Sequence, residues 1–352
     1  SLIMNVFTEA GERAKAMGIY GFVCSGGGSI GVLLGGVLTS SLNWHWIFLV
    51  NLPIGIAVYG MCRALLPAGR GMVDAPRLDV VGAFTVTVSL MFAVYAVING
   101  NDAGWTTFTT LWKLGVAAAL MIAFLIIESR VHAPLMPLSL FRLRSVSIAN
   151  IVAVLWAAGM FAWFFISALY LQQVLGLGPM QVGLAFLPAN LIMAICSLGL
   201  SAKLVMRFGI RVPLTVGLLL AAGGLMLFAR APVAGNVWVD VVPAMALLGF
   251  GAGIAFNPLL LAAMNDVPPS DSGLASGMVN TSFMMGGALG LAVLASLAAA
   301  QTEFVTMLGA NTVAALNSGY RHAFRMGAGF AVLAALLGFM GFAKGKTPTT
   351  PI

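Results

Sequence analysis

The 352-residue chain is 61% hydrophobic and only 8% charged, against about 25% charged residues in a soluble domain. So few charges cannot coat a water-soluble surface, which makes lipid the main solvent. The net charge of +7 does not point to nucleic acid, because the basic residues stand singly between apolar segments and form no stripe.

Ser1 to Phe7 is apolar but shorter than the roughly 20 residues of a crossing helix. It lacks the basic n-region of a signal peptide and reads as the tail of a preceding helix. Ten segments long enough to cross follow, near 17–38, 45–66, 80–98, 109–128, 146–173, 180–204, 210–230, 238–263, 272–300 and 322–343. They predict an all-α polytopic membrane protein with ten transmembrane helices, since an open sheet leaves backbone groups unpaired in hydrocarbon. The 42 glycines lie scattered within these runs, as suits helices that approach closely. Cys24, Cys62 and Cys196 show no metal-ligand spacing, and no metal site is expected. The three histidines, His45, His132 and His322, form no His-Glu-x-x-His pair and no paired haem ligands, and no acid cluster sits at membrane depth. No catalytic residue and no enzymatic activity are expected.

Orientation follows from the basic residues in the connections. One set of connections holds Arg13, Lys15, Arg63, Arg70, Arg77, Arg130, Arg142, Arg144, Lys203, Arg207, Arg211, Lys344 and Lys346; the other holds Lys113, Arg230, Arg321 and Arg325. The first set is expected on the cytoplasmic side of the plasma (inner) membrane, with both ends of the chain facing the cytoplasm. Trp44, Trp46, Trp105, Trp112 and Trp238 then fall near the outer interface, where an indole keeps its N–H wet.

Two sequence elements carry a resemblance. In the first span Gly27, Gly31 and Gly35 recur every four residues and share one helix face, with Gly36 beside them. Such a face admits a neighbouring helix. The run that follows contains Trp44, Trp46, Phe48, Asn51, Pro53 and Gly55. Together these elements resemble the fifth helix, with its antiporter motif, and the start of the sixth in the fourteen-helix drug:proton antiporters of the major facilitator superfamily. Weaker matches continue the resemblance in order: Leu78-Asp79 with Gly82, Glu128 to Phe141, Tyr170 to Gln173, Arg207-Phe208-Gly209-Ile210-Arg211, and Gly273 to Gly290. Two positions depart from the family pattern, Val32 where it has proline and His45 where it has arginine.

The resemblance implies a division of the chain. Residues 1–66 would close an N-terminal bundle, 67–144 would hold two inserted helices, and 145–352 would form a C-terminal six-helix bundle. About four helices would lie ahead of Ser1. It also implies a monomeric secondary transporter in a lipid bilayer that exports small hydrophobic or cationic compounds by alternating access, with the proton gradient as energy source and no cofactor. A proton-driven transporter of another metabolite, or a membrane fragment without transport, remains the alternative.

No span carries an acid near its middle, where a buried charge costs roughly 2.5–3.5 kcal/mol and marks function. Asp79, Glu128 and Asp240 sit at span ends and Glu303 at the outer end of the ninth. Asp79 is read as a helix cap. The neutral polar residues Asn150, Gln172, Gln173, Asn190, Asn257 and Asn280 should avoid lipid. They either bond between helices or line a substrate cavity. The rings of Trp156, Phe161 and Tyr170 could join such a cavity, since aromatic faces attract cations. Arg207, Gly209 and Arg211 mark a cytoplasmic loop.

Overall fold

The computed structural model describes residues 33–65, 79–131, 137–264, 266–268 and 271–342, with 134, 135 and six isolated positions between 16 and 31. Ser1 to Phe7, Val32, Leu78, Arg13, Lys15, Arg70, Arg77, Lys344 and Lys346 lie outside the described residues. Every described residue from 16 to 41 is helical, and this segment is α1. Nine further helices are long and apolar enough to cross a membrane: α2 Trp46–Leu65, α3 Val80–Gly100, α4 Phe108–Arg130, α5 Arg144–Val174, α6 Pro179–Phe208, α7 Arg211–Phe228, α8 Val237–Met264, α9 Gly273–Met307 and α10 Thr312–Gly341. The described residues contain no strand.

The helix boundaries have local causes. The Asp79 carboxylate accepts from the Gly82 N–H at 2.8 Å and caps α3, as its position predicts. Pro179 opens α6, where a missing N–H costs nothing, and Gln181 reaches back to the Gly178 N–H. Gly209, at φ +73°, makes the turn between α6 and α7. Two boundaries differ clearly from expectation, and the first is the end of α9, at Met307 rather than near 300. The last helix starts at Thr312, ten residues before the predicted 322. Its first turns carry Asn317, Ser318 and Arg321, whose polarity hides them from an apolar scan. Asn311 caps this start by accepting from the Ala314 N–H, and Arg321 lies within the helix rather than in a loop.

From α5 to α10 the helices form one bundle. α5 packs on α9 and α10, α7 on α8 and α10, and α6 on α8. In lipid, association rests on close packing rather than hydrophobicity, and small residues make the seams. On α8, Gly249 and Gly253 face α6: a Cβ would come within 2.4 Å of Ala189 O and 2.7 Å of Cys196 Cβ. Gly251, between them, faces α7, where a Cβ would come within 2.6 Å of the Ala221 nitrogen. On α9, Gly286 and Gly290 seat the helix on Val154 and Ala158 of α5. One end of the core centres on Trp163, Tyr170 and the stacked pair Phe228–Phe324, whose centroids lie 5.0 Å apart. The other centres on Ala149, Leu214, Leu259 and Ala334. The hairpin α3–α4, tied by the Ser89 hydroxyl donating to Ala117 O at 2.7 Å, lies against α9. No residue of α2 is buried.

Candidate functional site

A cavity of about 770 Å³ opens between α5, α6, α8 and α9. Six phenylalanines line it: Phe161, Phe164 and Phe165 from α5, Phe186 from α6, Phe256 from α8 and Phe283 from α9. Phe283 is the hub of one wall, with its centroid 5.8 Å from Phe256, 6.0 Å from Phe161 and 6.3 Å from Trp156 behind. Gly287 leaves the space that the Phe161 ring fills, since a Cβ there would sit 2.7 Å from it. In the facing wall Phe164 and Phe186 stack at 5.6 Å, backed by Trp163. Met160, Met193 and Met284 add adaptable surface. Ser197 and Asn280 supply the polar side chains, and among the described residues none that lines the cavity is charged. A π turn over Cys196–Leu200 interrupts α6 beside the cavity and carries Ser197.

This arrangement sorts the residues singled out in the sequence. Phe161 and Asn280 line the cavity. Asn257 stands one contact behind, donating to the Ser197 hydroxyl and carbonyl at 3.4 Å. Asn150 joins helices instead: it donates to Val146 O at 2.8 Å and accepts from the Ser282 hydroxyl of α9 at 2.6 Å. Trp156 is packed behind the wall. Asn190 is buried to 1% exposure with its amide unpartnered, and Gln172 is exposed. Tyr170 and Gln173 hold the far end of the bundle. The Tyr170 hydroxyl donates to Pro232 O at 2.8 Å, and Gln173 accepts from the Tyr320 hydroxyl at 2.7 Å. There Arg321 Nε donates to Ala229 O at 2.8 Å and so ties the end of α7 to α10. Asn150, Trp156, Tyr170, Gln172, Gln173, Asn190 and Asn257 are thus outside the described lining of this cavity. Phe186, Phe256, Phe283 and the methionines are walls that the sequence did not single out. Each comes from a different turn or helix, and only the tertiary fold gathers them.

Among the described residues, the glycine-faced helix approaches α6 at Gly36. A Cβ on the buried Gly36 would lie 2.9 Å from Pro179 O and 3.3 Å from Met180 Cα. At Gly27, Gly31 and Gly35 it would meet nothing within 4 Å. Of the four glycines named for this helix, Gly36 is thus the one set against α6. After it, Trp44 stacks on His45 at 3.8 Å. Asn51 Nδ2 donates to Ile47 O at 2.9 Å and Phe48 O at 3.3 Å, stitching the short Trp46–Leu49 turn to the helix beyond. Pro53 sits in the first turn of that helix, where its missing donor is tolerated. Trp44, Trp46, Phe48, Asn51, Pro53 and Gly55 are all exposed, so this run shapes the entry to α2 and touches no cavity. At the opposite end of the bundle the Arg211 guanidinium lies 3.7 Å over the Phe339 ring, and Arg144 donates to Met340 O at 3.3 Å. Both cations sit at the C-terminal turn of α10, where the helix dipole favours them. Arg207 lies 5.2 Å over the ring of its neighbour Phe208.

A helical bundle with small-residue seams around an aromatic cavity defines a membrane transporter scaffold. The chain belongs to the Major Facilitator Superfamily, whose model matches residues 1–291. It is 34% identical to the puromycin resistance protein pur8 of Streptomyces alboniger, over 96% of this chain and 67% of that protein. It is likewise 34% identical to the multidrug resistance protein Stp of Mycobacterium tuberculosis, over 85% of this chain and 55% of that protein. With the cephamycin export protein CmcT of Amycolatopsis lactamdurans the identity is 32%, over 86% of this chain and 63% of that protein. The chain thus spans from about half to two thirds of the length of these relatives.

Proposed function

We propose that the protein exports small hydrophobic compounds across the plasma membrane by alternating access, in exchange for inward-moving protons. The observation that carries this reading is the cavity of about 770 Å³ with six phenylalanines and, among the described residues, no charged wall residue. Its size falls within the range of about 300–1,000 Å³ that holds drug-sized ligands. Ring faces attract organic cations as well as neutral aromatics, and Asn280 and Ser197 give a cargo two neutral points for hydrogen bonding. An anionic metabolite would find no cationic side chain among the described walls to offset its lost hydration. The names of the relatives, resistance to puromycin and export of a cephamycin, support export as the direction.

In this reading residues 145–352 are the C-terminal bundle, 67–144 the inserted pair, and α1 with α2 belong to the opposing bundle. The basic-rich connections and both ends face the cytoplasm. The Gly36 contact with α6 then joins the two bundles on the outer side, and it parts when the protein opens outward. An inward proton supplies about 2.3 kcal/mol per 100 mV, enough for modest concentrative export. The protein works as a monomer.

Everted vesicles with a respiration-driven pH gradient, followed by acridine orange, test both halves of the reading. Added ethidium should dissipate part of the gradient when the protein is present, and Phe283→Ala and Asn280→Leu should weaken that response several-fold. A gradient untouched by ethidium with the parent protein would refute proton-coupled export. A full response from both variants would refute the cavity as the cargo site.

A further inference from the structure

Phe165 walls a second recess as well, one of about 430 Å³ between α5, α9 and α10. Leu169 of α5 and Leu316 of α10 continue its apolar sides, and Ala298 and Ala299 leave its α9 side open where larger side chains would fill it. Gly319 fixes this geometry: a Cβ there would come within 2.4 Å of Ala298 O, so α10 can lie directly on the α9 backbone.

The polar groups of the recess divide sharply. Thr302 donates to Ala298 O at 2.8 Å, and Tyr320 donates to Gln173 at 2.7 Å, so both hydroxyls are engaged within the bundle. Glu303 also lines the recess, and its carboxylate makes no hydrogen bond or ion pair with a described residue. On α10, next to Tyr320, Arg321 turns its Nε to Ala229 O. Among the described residues, Glu303 is the one charged residue lining either this recess or the main cavity.

We propose that this recess is a second binding site, which takes a hydrophobic organic cation. Its apolar body packs on Phe165, Leu169 and Leu316, and Glu303 faces its charge. A large delocalised cation sheds its weak hydration at little cost, and an acid beside low-dielectric walls acts on it more strongly than in open water. This proposal rests on the export reading, within which the recess is the outward station. Cargo leaves the neutral cavity past Phe165 and meets its counter-charge on the external side. Neutral cargo gains nothing there, so the recess discriminates by charge whereas the main cavity does not.

Equilibrium dialysis of the detergent-purified protein with radiolabelled tetraphenylphosphonium tests this directly. The parent should bind two cations per chain. Glu303→Gln, isosteric and at an exposed position, should weaken one of the two by up to about fivefold, the scale of a single partly screened charge pair. Binding of the uncharged probe N-phenyl-1-naphthylamine should be unchanged in that variant. Ala299→Trp, which fills the recess, should leave one cation per chain. A parent that binds a single cation, or a Glu303→Gln variant that binds both with parental affinities, would overturn the proposal. These readouts do not depend on transport. Two-site binding without dye export would sink the export reading and leave the recess standing.

Discussion

The approach of α1 to α6 at Gly36 gives a sharp test, because two adjacent glycines differ in what surrounds them. A Cβ added at Gly36 would stand 2.9 Å from Pro179 O, about 0.5 Å inside ordinary van der Waals separation. Pro179 opens its helix and its carbonyl is backbone, so relief requires α1 or α6 to shift. Overpacking of this kind costs about 1–3 kcal/mol. If the contact exists in only one of two transport states, that cost becomes a shift of about 5- to 150-fold in their equilibrium. At Gly35 the added Cβ would meet nothing within 4 Å. Efflux of ethidium from preloaded cells, normalised to protein in the membrane, should therefore fall at least several-fold in Gly36→Ala and stay within about twofold of the parent in Gly35→Ala. Equal efflux from both variants, or an equal loss in both, would refute the contact as a moving interface.

Two further outcomes follow from packing. Ser282→Ala removes the donor to the buried Asn150 amide oxygen and should cost about 1–3 kcal/mol, read as a lower thermal midpoint in detergent. Adding Asn150→Leu should recover part of that loss, and strictly additive effects would show that the pair is not coupled. Gly290→Val places a Cβ about 2.1 Å from Ala158 Cβ and should force α5 and α9 apart, so that the variant elutes as aggregate in size-exclusion chromatography. A parental elution profile would contradict the seam.

Most of the bundle was legible in the sequence because lipid permits so few solutions. A long apolar run must be a helix, and nine such runs are helices within a few residues of their expected positions over most of their boundaries. The exceptions share one cause. Thr312 to Arg321 and the last turns of α9 carry polar side chains that are used inside the protein: Asn317 donates to Ala231 O, and Gln301 donates to Ser318. Hydropathy counts such groups as if they faced water. The π turns at Tyr170–Val174, Cys196–Leu200 and Val237–Val241 left no mark in the periodicity, because one extra residue per turn disturbs a pattern that an all-round apolar helix does not show.

The site was less legible for a related reason. In a mostly apolar chain the amides stand out, so Asn150, Asn190 and Gln173 drew notice, yet Asn150 bonds between helices, Gln173 bonds at the bundle end, and Asn190 has no partner among the described residues. The walls are phenylalanines and methionines, which also coat the lipid face. Phe186, Phe256 and Phe283 share no sequence neighbourhood and become one surface only when Gly253, Gly286 and Gly290 bring their helices together. Of the glycines singled out in the first span, Gly27, Gly31, Gly35 and Gly36, the described helix brings Gly36 onto α6.

The most direct test of the central claim is accumulation of ethidium in energised cells that produce the protein, against cells producing Phe283→Ala. Export through the aromatic cavity predicts lower accumulation with the parent, loss of that difference in the variant, and its disappearance when a protonophore is added. Equal accumulation with parent and variant would contradict export through this cavity, and a difference that survives the protonophore would contradict its coupling to protons.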